Sequence, residues 1–176
     1  VTPNPSEYAN DSALIKVNGT VPGGPLTFTA EAGRIQQATD VDAFLGVGRF
    51  LNTTALAGDD EMLRYRVSLG QALTGANAAF DSADWSAYWQ GTETDQDTYE
   101  VRRAVPPRTP PVQLDRTFKF DESAFGVEFT AVKSLGSGSI VHDVVYGFEA
   151  TRSELDELRD GLQTNLATGA TTPTIL

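Results

Sequence analysis

The chain has 176 residues, 24 acidic against 13 basic side chains for a formal charge of −11, and no cysteine. That length can bury a proper core without metal or disulfide staples. The absence of cysteine excludes thiolate zinc sites, iron–sulfur clusters, disulfide frameworks and cysteine nucleophiles.

No apolar run approaches the roughly 20 residues that span a bilayer, and the opening residues lack a signal-peptide layout. The first residue is Val1 rather than methionine, which predicts processing or trimming. Ten arginines stand beside only three lysines, Lys16, Lys119 and Lys133. Acid excess with scarce lysine predicts adaptation to very high salt, where a Debye length of about 3 Å screens a crowded acidic surface. An ordinary acidic mesophile protein is the alternative. With no lysine and arginine patch to release counterions, sequence-independent nucleic-acid binding is not expected.

In chain order, "VTPNPSEYAND" (1–11) is rich in turn formers and predicts an extended N-terminal arm. Ala13, Ile15, Val17 and Val21 alternate as a half-buried strand. Pro22-Gly23-Gly24-Pro25 then predicts a turn into a strand carrying Leu26, Phe28 and Ala30. From Arg34 to Leu56 the apolar residues fit neither period, leaving a buried strand or a short helix after Asp40. Leu63, Tyr65, Val67 and Leu69 share one face of a further strand. The small residues after Gln71 and the stretch "DWSAYWQ" predict a loop or a helix of one or two turns.

"TYEVRRAV" alternates up to the proline run Pro106, Pro107, Pro110 and Pro111, and "VQLDRTFKF" alternates after it. Equivalent strands on both flanks predict a stiff connector inside one domain rather than a linker between two. Phe125, Val127, Phe129 and Ala131 form the next strand, and Gly136-Ser137-Gly138 predicts a hairpin loop into Ile140, Val144, Tyr146 and Phe148. "SELDELRDGLQTNL" is the one helical signal, with Ser153 as N-cap and Leu155, Leu158, Leu162 and Leu166 on one face. Residues 167–176 read as an extended tail. The expected fold is all-β: one domain over 1–176, a jelly roll or two-sheet sandwich of about eight strands with little helix.

No catalytic constellation emerges. The single histidine, His142, lies among apolar strand residues and reads as a satisfied buried side chain rather than a catalytic one. "GVGRF" lacks the third glycine and the context of a phosphate loop, and Pro107-Arg108-Thr109-Pro110 matches only a minimal proline-ligand pattern. "GDDE" (Asp59, Asp60, Glu61) and "DQDTYE" (Asp95, Asp97, Glu100) are conceivable cation sites, but they lack EF-hand spacing and read as a solvated face. Asn10, Asn18 and Asn52 head glycosylation sequons, which matter only if the protein is external. Trp85, Tyr88 and Trp89 are the densest aromatic cluster, a core anchor or subunit contact in preference to a sugar-stacking platform. No enzyme activity, cofactor or metal is expected.

The strand series from Ala13 to Glu149, the acid-rich and lysine-poor composition, the proline bridge and the tail "TTPTIL" together resemble the smaller major capsid protein of the haloarchaeal icosahedral viruses with an internal membrane, the sphaerolipovirus group. The resemblance covers the whole chain and is one of overall character and length. It implies a single jelly roll standing upright on a virion, assembling into capsomers with copies of itself and a larger jelly-roll capsid protein. The internal membrane and spike proteins are further implied partners, and the family has no catalytic residues to carry over. A carbohydrate-binding sandwich from a secreted halophile protein is the alternative reading.

Overall fold

The computed structural model describes residues 4–75, 77–137 and 140–174. Seven strands make one antiparallel sheet: β1 (Ser6–Val21), β2 (Gly24–Asp40), β3 (Thr53–Thr74), β4 (Ser82–Arg102), β5 (Val112–Ser137), β6 (Ile140–Asn165) and β7 (Thr171–Pro173). The protein is therefore all-β, as its alternation predicts. The strands are long: β5 and β6 have 26 residues each, about 88 Å at roughly 3.4 Å per residue, where ordinary strands have about 3–10.

Strand order follows chain order throughout. Strands adjacent in the chain are adjacent in the sheet, and among the described residues no strand crosses to a second sheet. The expected division into two facing sheets of about eight strands is thus replaced by one seven-stranded meander. Pro22 and Gly23 close the first hairpin between the paired Val21 and Gly24. Gly23 has φ 98°, a conformation that a side chain would disfavour. Between β4 and β5 the proline run folds back on itself, with a bridge between Val105 and Thr109 and a cis Pro106–Pro107 bond. Its flanks pair directly, Arg102 with Val112, so it is a connector within the sheet and not an extended polyproline ligand.

Several expectations are corrected. The helix expected over 153–166 is instead the C-terminal part of β6 as far as Asn165, because β5 from Val112 to Ala124 offers Ser153–Asn165 a complete backbone ladder. Pairing overrides a local preference already weakened by Gly161. Residues 6–11 of the expected arm pair with Arg34–Thr39, and Thr171–Pro173 of the expected tail pair with Leu162–Thr164. Of the segment 34–56, Arg34–Asp40 completes β2; two 3-10 turns follow at Asp42–Phe44 and Gly48–Phe50, and β3 begins at Thr53. "DWSAYWQ" is strand, its aromatic residues suited to a pleated surface. The strands expected at 112–120 and 125–131 are one continuous strand. Gly138 of the expected loop, residues 1–3 of the arm and Ile175 and Leu176 of the tail lie outside the described residues.

Partners across an antiparallel ladder share a face, so the register sorts the side chains. On the first face, adjacent rows read Ile15–Ala30–Val67–Trp89–Phe125–Arg152, Val17–Phe28–Leu69–Ala87–Val127–Ala150 and Gly19–Leu26–Gln71–Trp85–Phe129–Phe148. Farther along the same face, three rows read Asp11–Arg34–Leu63–Glu93–Asp121–Asp156, Ala9–Gln36–Glu61–Asp95–Lys119–Leu158 and Glu7–Ala38–Asp59–Asp97–Thr117–Asp160. Ten carboxylates meet only Arg34 and Lys119 there. Along this half the apolar side chains move to the second face, which carries Ile35, Leu56, Met62, Leu114, Phe118, Phe120 and Leu155. The first face is thus apolar at one end and acidic at the other.

One sheet leaves little interior. Among the described residues only Ala83, Val112, Leu114, Ala124 and Ala131 are buried hydrophobics. Two tyrosines compensate locally by lying over cross-strand glycines, Tyr65 on Gly91 and Tyr88 on Gly126. A Cβ on Gly91 would stand 2.4 Å from the Tyr65 ring. Gly91→Val should therefore lower stability by about 1–3 kcal/mol through overpacking. Gly19→Ala, where a Cβ meets nothing within 4 Å, should leave the urea midpoint unchanged or slightly raised. Equal midpoints for the two variants would remove the tyrosine–glycine packing from this account.

Candidate functional site

The aromatic cluster is divided by the pleat of β4. Trp85 and Trp89 belong to the first face and Tyr88 to the second. Trp89 is 44% exposed and packs at 5.1 Å between ring centroids against Tyr65 of β3. Trp85 donates its indole N–H to Gln71 Oε1 at 3.3 Å. Beyond it in the same row, Phe129 and Phe148 stack at 5.8 Å. Tyr88, on the other side, lies under the Arg66 guanidinium at 4.3 Å. The tryptophans therefore belong to a broad apolar half-face with Ile15, Val17, Phe28, Val67, Leu69, Phe125 and Phe148, all exposed.

The acidic stretches are divided in the same way. Asp59 and Glu61 lie on the first face and Asp60 on the second. Asp59 faces Asp97 across the ladder, Glu61 faces Asp95, and Asp121 lies between Glu93 and Asp156. Like charges directly opposite are destabilising. Relief is local: Arg34 forks Glu61 at 2.7 and 2.9 Å, and Lys119 reaches Asp95 at 2.7 Å. Among the described residues no group of three or more metal-donor side chains is placed to hold an ion. His142 is exposed near the start of β6, correcting the expected buried histidine, because β6 is an outer strand with little packed against it.

Among the described residues Glu100 is the one charge drawn inside, 1% exposed. Its carboxylate accepts from Thr53 Oγ1 at 2.7 Å, from Arg102 at 2.7 and 2.9 Å, and from Arg116 at 3.3 Å. Burial alone would raise its pKa. The hydrogen bonds from Arg102 and Thr53 and the charges of Arg102 and Arg116 outweigh burial and hold it below the ordinary glutamate value. The 41–52 loop contributes Val41, Arg49 and Phe50 to a concavity of about 480 Å³ around this group. Gly46 and Gly48, with φ 75° and 55°, shape that loop, so the glycines of "GVGRF" serve a turn. On the other face of the same end, a concavity of about 570 Å³ is lined by Glu7, Asp40, Asp59, Asp97 and Asp115.

Sequence reasoning grouped Glu100 with Asp95 and Asp97 as a surface patch. The signal it missed was Glu100 and Arg102 two apart on one strand face. What buries Glu100 is Thr53 and a loop distant in sequence. At the opposite end Lys133 binds Asp81 Oδ1 at 2.7 Å and the Asn77 carbonyl at 2.7 Å, fastening the 75–81 connection to β5. These hydrogen bonds, with the Ser134 N–H, lower the Asp81 pKa. No protein-family model matches the chain, and no curated protein matches its sequence.

A carboxylate whose folded pKa is depressed stabilises the fold above its unfolded pKa, about 4.3 for glutamate. That contribution is lost as pH falls through the lower, folded value. Glu100→Gln should cost about 2 kcal/mol at neutral pH, by leaving two arginines without their counter-charge. It should also flatten the acid limb of the stability profile below about pH 4.3. A variant with an unchanged acid limb would show that Glu100 does not carry this linkage.

Proposed function

We propose that this chain is a structural subunit of a virion shell from a high-salt environment, a major capsid protein of the haloarchaeal internal-membrane virus type. One observation carries the reading: the isolated chain exposes far more surface than a self-sufficient monomer does. Its accessible surface is 11,916 Å² for 18.9 kDa. A globular monomer of that mass exposes about 8,300 Å². The excess is about 3,600 Å² on one chain, more than the roughly 1,000–2,500 Å² that one obligate interface removes from each partner, as suits a subunit with several neighbours.

The composition supports the same reading. The ladder of facing carboxylates is tolerable where molar salt screens it and costly in dilute buffer. Partners are copies of the chain and a larger jelly-roll capsid protein, with the membrane and spike proteins as neighbours. On this reading a two-layer sandwich is completed in the capsomer, where a partner's sheet covers this one. The subunit is non-catalytic, binds no nucleic acid and resides in the virion.

A carbohydrate-binding role has the exposure of Trp89 in its favour. The flanking row Ile15, Ala30, Val67 and Phe125 offers few hydrogen-bonding groups to sugar hydroxyls, so the face suits an apolar partner better. Sedimentation velocity in molar NaCl should show specific oligomers or co-assembly with a second β-rich virion protein, dissociating as salt is removed. A monomer at every salt concentration, with no affinity for virion components, would overturn the shell reading. Glycan binding lost on Trp89→Ala would replace it with the carbohydrate one.

A further inference from the structure

We infer that the apolar half of the first face is a two-fold, face-to-face contact with a second copy of this chain, offset so that the acidic halves point away from each other. The inference rests on the assembly reading above and specifies its geometry. Three observations bear on it: area, charge and the position of the boundary between the two halves.

The half-face is six strands wide, β1 to β6, and about nine residues long, from the row Ala13–Ala32–Tyr65–Gly91–Ser123–Glu154 to Val21, Leu73, Ala83, Ala131 and Tyr146. At roughly 4.8 Å between strands and 3.3 Å per residue it covers about 850 Å². Two copies would bury about 1,700 Å² in total, within the range of a stable, specific interface. Exposed Trp89, Phe125, Phe148, Phe28, Val67 and Ile15 supply the apolar centre, and aromatic anchors of this kind dominate subunit contacts.

Charge chooses among the ways of stacking. A two-fold axis along the strands would lay one acidic half on the other, ten carboxylates against ten with two cations apiece. A two-fold axis lying across the strands, through the row Val17–Phe28–Leu69–Ala87–Val127–Ala150, lays apolar on apolar. It sends the two acidic halves to opposite ends of the dimer. Repulsion between acidic halves removes the first arrangement, and burial of the apolar halves holds the second. A copy stacked this way runs its strands antiparallel to the first, about 10 Å away. Each β4 lies over its equivalent, and Ala87 lies close to the axis.

The chain has no cysteine, so a single introduced thiol reports on one position. Ala87→Cys and, as a second axial position, Val127→Cys would each be treated in molar NaCl with a short bis-maleimide spanning about 10 Å, the spacing of stacked sheets. Asp97→Cys serves as the distal position, ten residues along β4 and so about 33 Å from the axis. Circular dichroism would establish that each variant is folded. The expected result is covalent dimer from the axial thiols at a rate roughly 100-fold above that from Asp97→Cys, as adjacent thiols have millimolar effective concentration.

Dimers crosslinking at Asp97→Cys as fast as at the axial positions would mean in-register stacking. Oligomers crosslinking at none of these positions would mean another surface. Either result overturns this geometry while leaving the assembly reading intact. A sedimenting monomer at every salt concentration, with no crosslinking, overturns both.

Discussion

An antiparallel ladder fixes the face of every side chain, and only a bulge can change the phase. Among the described residues the only register shift in this sheet lies between Thr53 and Ala55, at the very start of β3. Yet the apolar residues of β5 change phase, from Val112, Leu114, Phe118 and Phe120 at even positions to Phe125, Val127, Phe129 and Ala131 at odd ones. Because the ladder does not slip with them, the apolar surface must cross from one face of the sheet to the other. The other long strands cross near the same level: Ile35 against Phe28, Leu56 and Met62 against Val67 and Leu69. Neither face is apolar along its whole length, and no single layer laid over one face could dry the chain.

The two apolar halves are treated differently. On the second face the chain's own 41–52 loop folds over Leu56, Phe118 and the Glu100 cluster. That burial obliges Glu100 to recruit two arginines and a threonine, since a lone carboxylate would be too costly there. On the first face nothing within the described residues covers Trp89, Phe125 or Phe148. The charge distribution follows the same division. The carboxylates lie on the first face where the apolar residues have left it, which keeps that end solvated and marks the boundary of the apolar half-face.

Much of the fold was legible in the residues, for local reasons. Period-two alternation identified the strands, the Pro22-Gly23 turn identified the first hairpin, and similar flanks identified the proline run as an internal connector. The errors arose where a local signal competed with a partner distant in sequence. Leu155, Leu158 and Leu162 have helical spacing, but β5 offers them a ladder, and backbone pairing decides. The phase change in β5 looked like the end of one strand and the start of another, since a strand with one buried side has no reason to change phase. It is intelligible only once each face of the sheet carries apolar surface over a different half. For the aromatic cluster, the sequence showed that Trp85, Tyr88 and Trp89 are close. Only the pleat assigns two to one face and the third to the other.

The outer side of β6 has a consequence of its own. From Ile140 to Asp160 it is exposed and its free side has no strand partner among the described residues. Charged residues protect its later part, but the stretch from Ile140 to Phe148 carries only His142 and Asp143 among valines and aromatics. Such an edge is a template for further strands, restrained here chiefly by the molecule's net negative charge. Acidifying a preparation toward its isoelectric point of about 4.4 removes that restraint while leaving the edge intact. Fibrillar precipitation, rather than orderly unfolding, is the failure this architecture invites when a preparation is acidified.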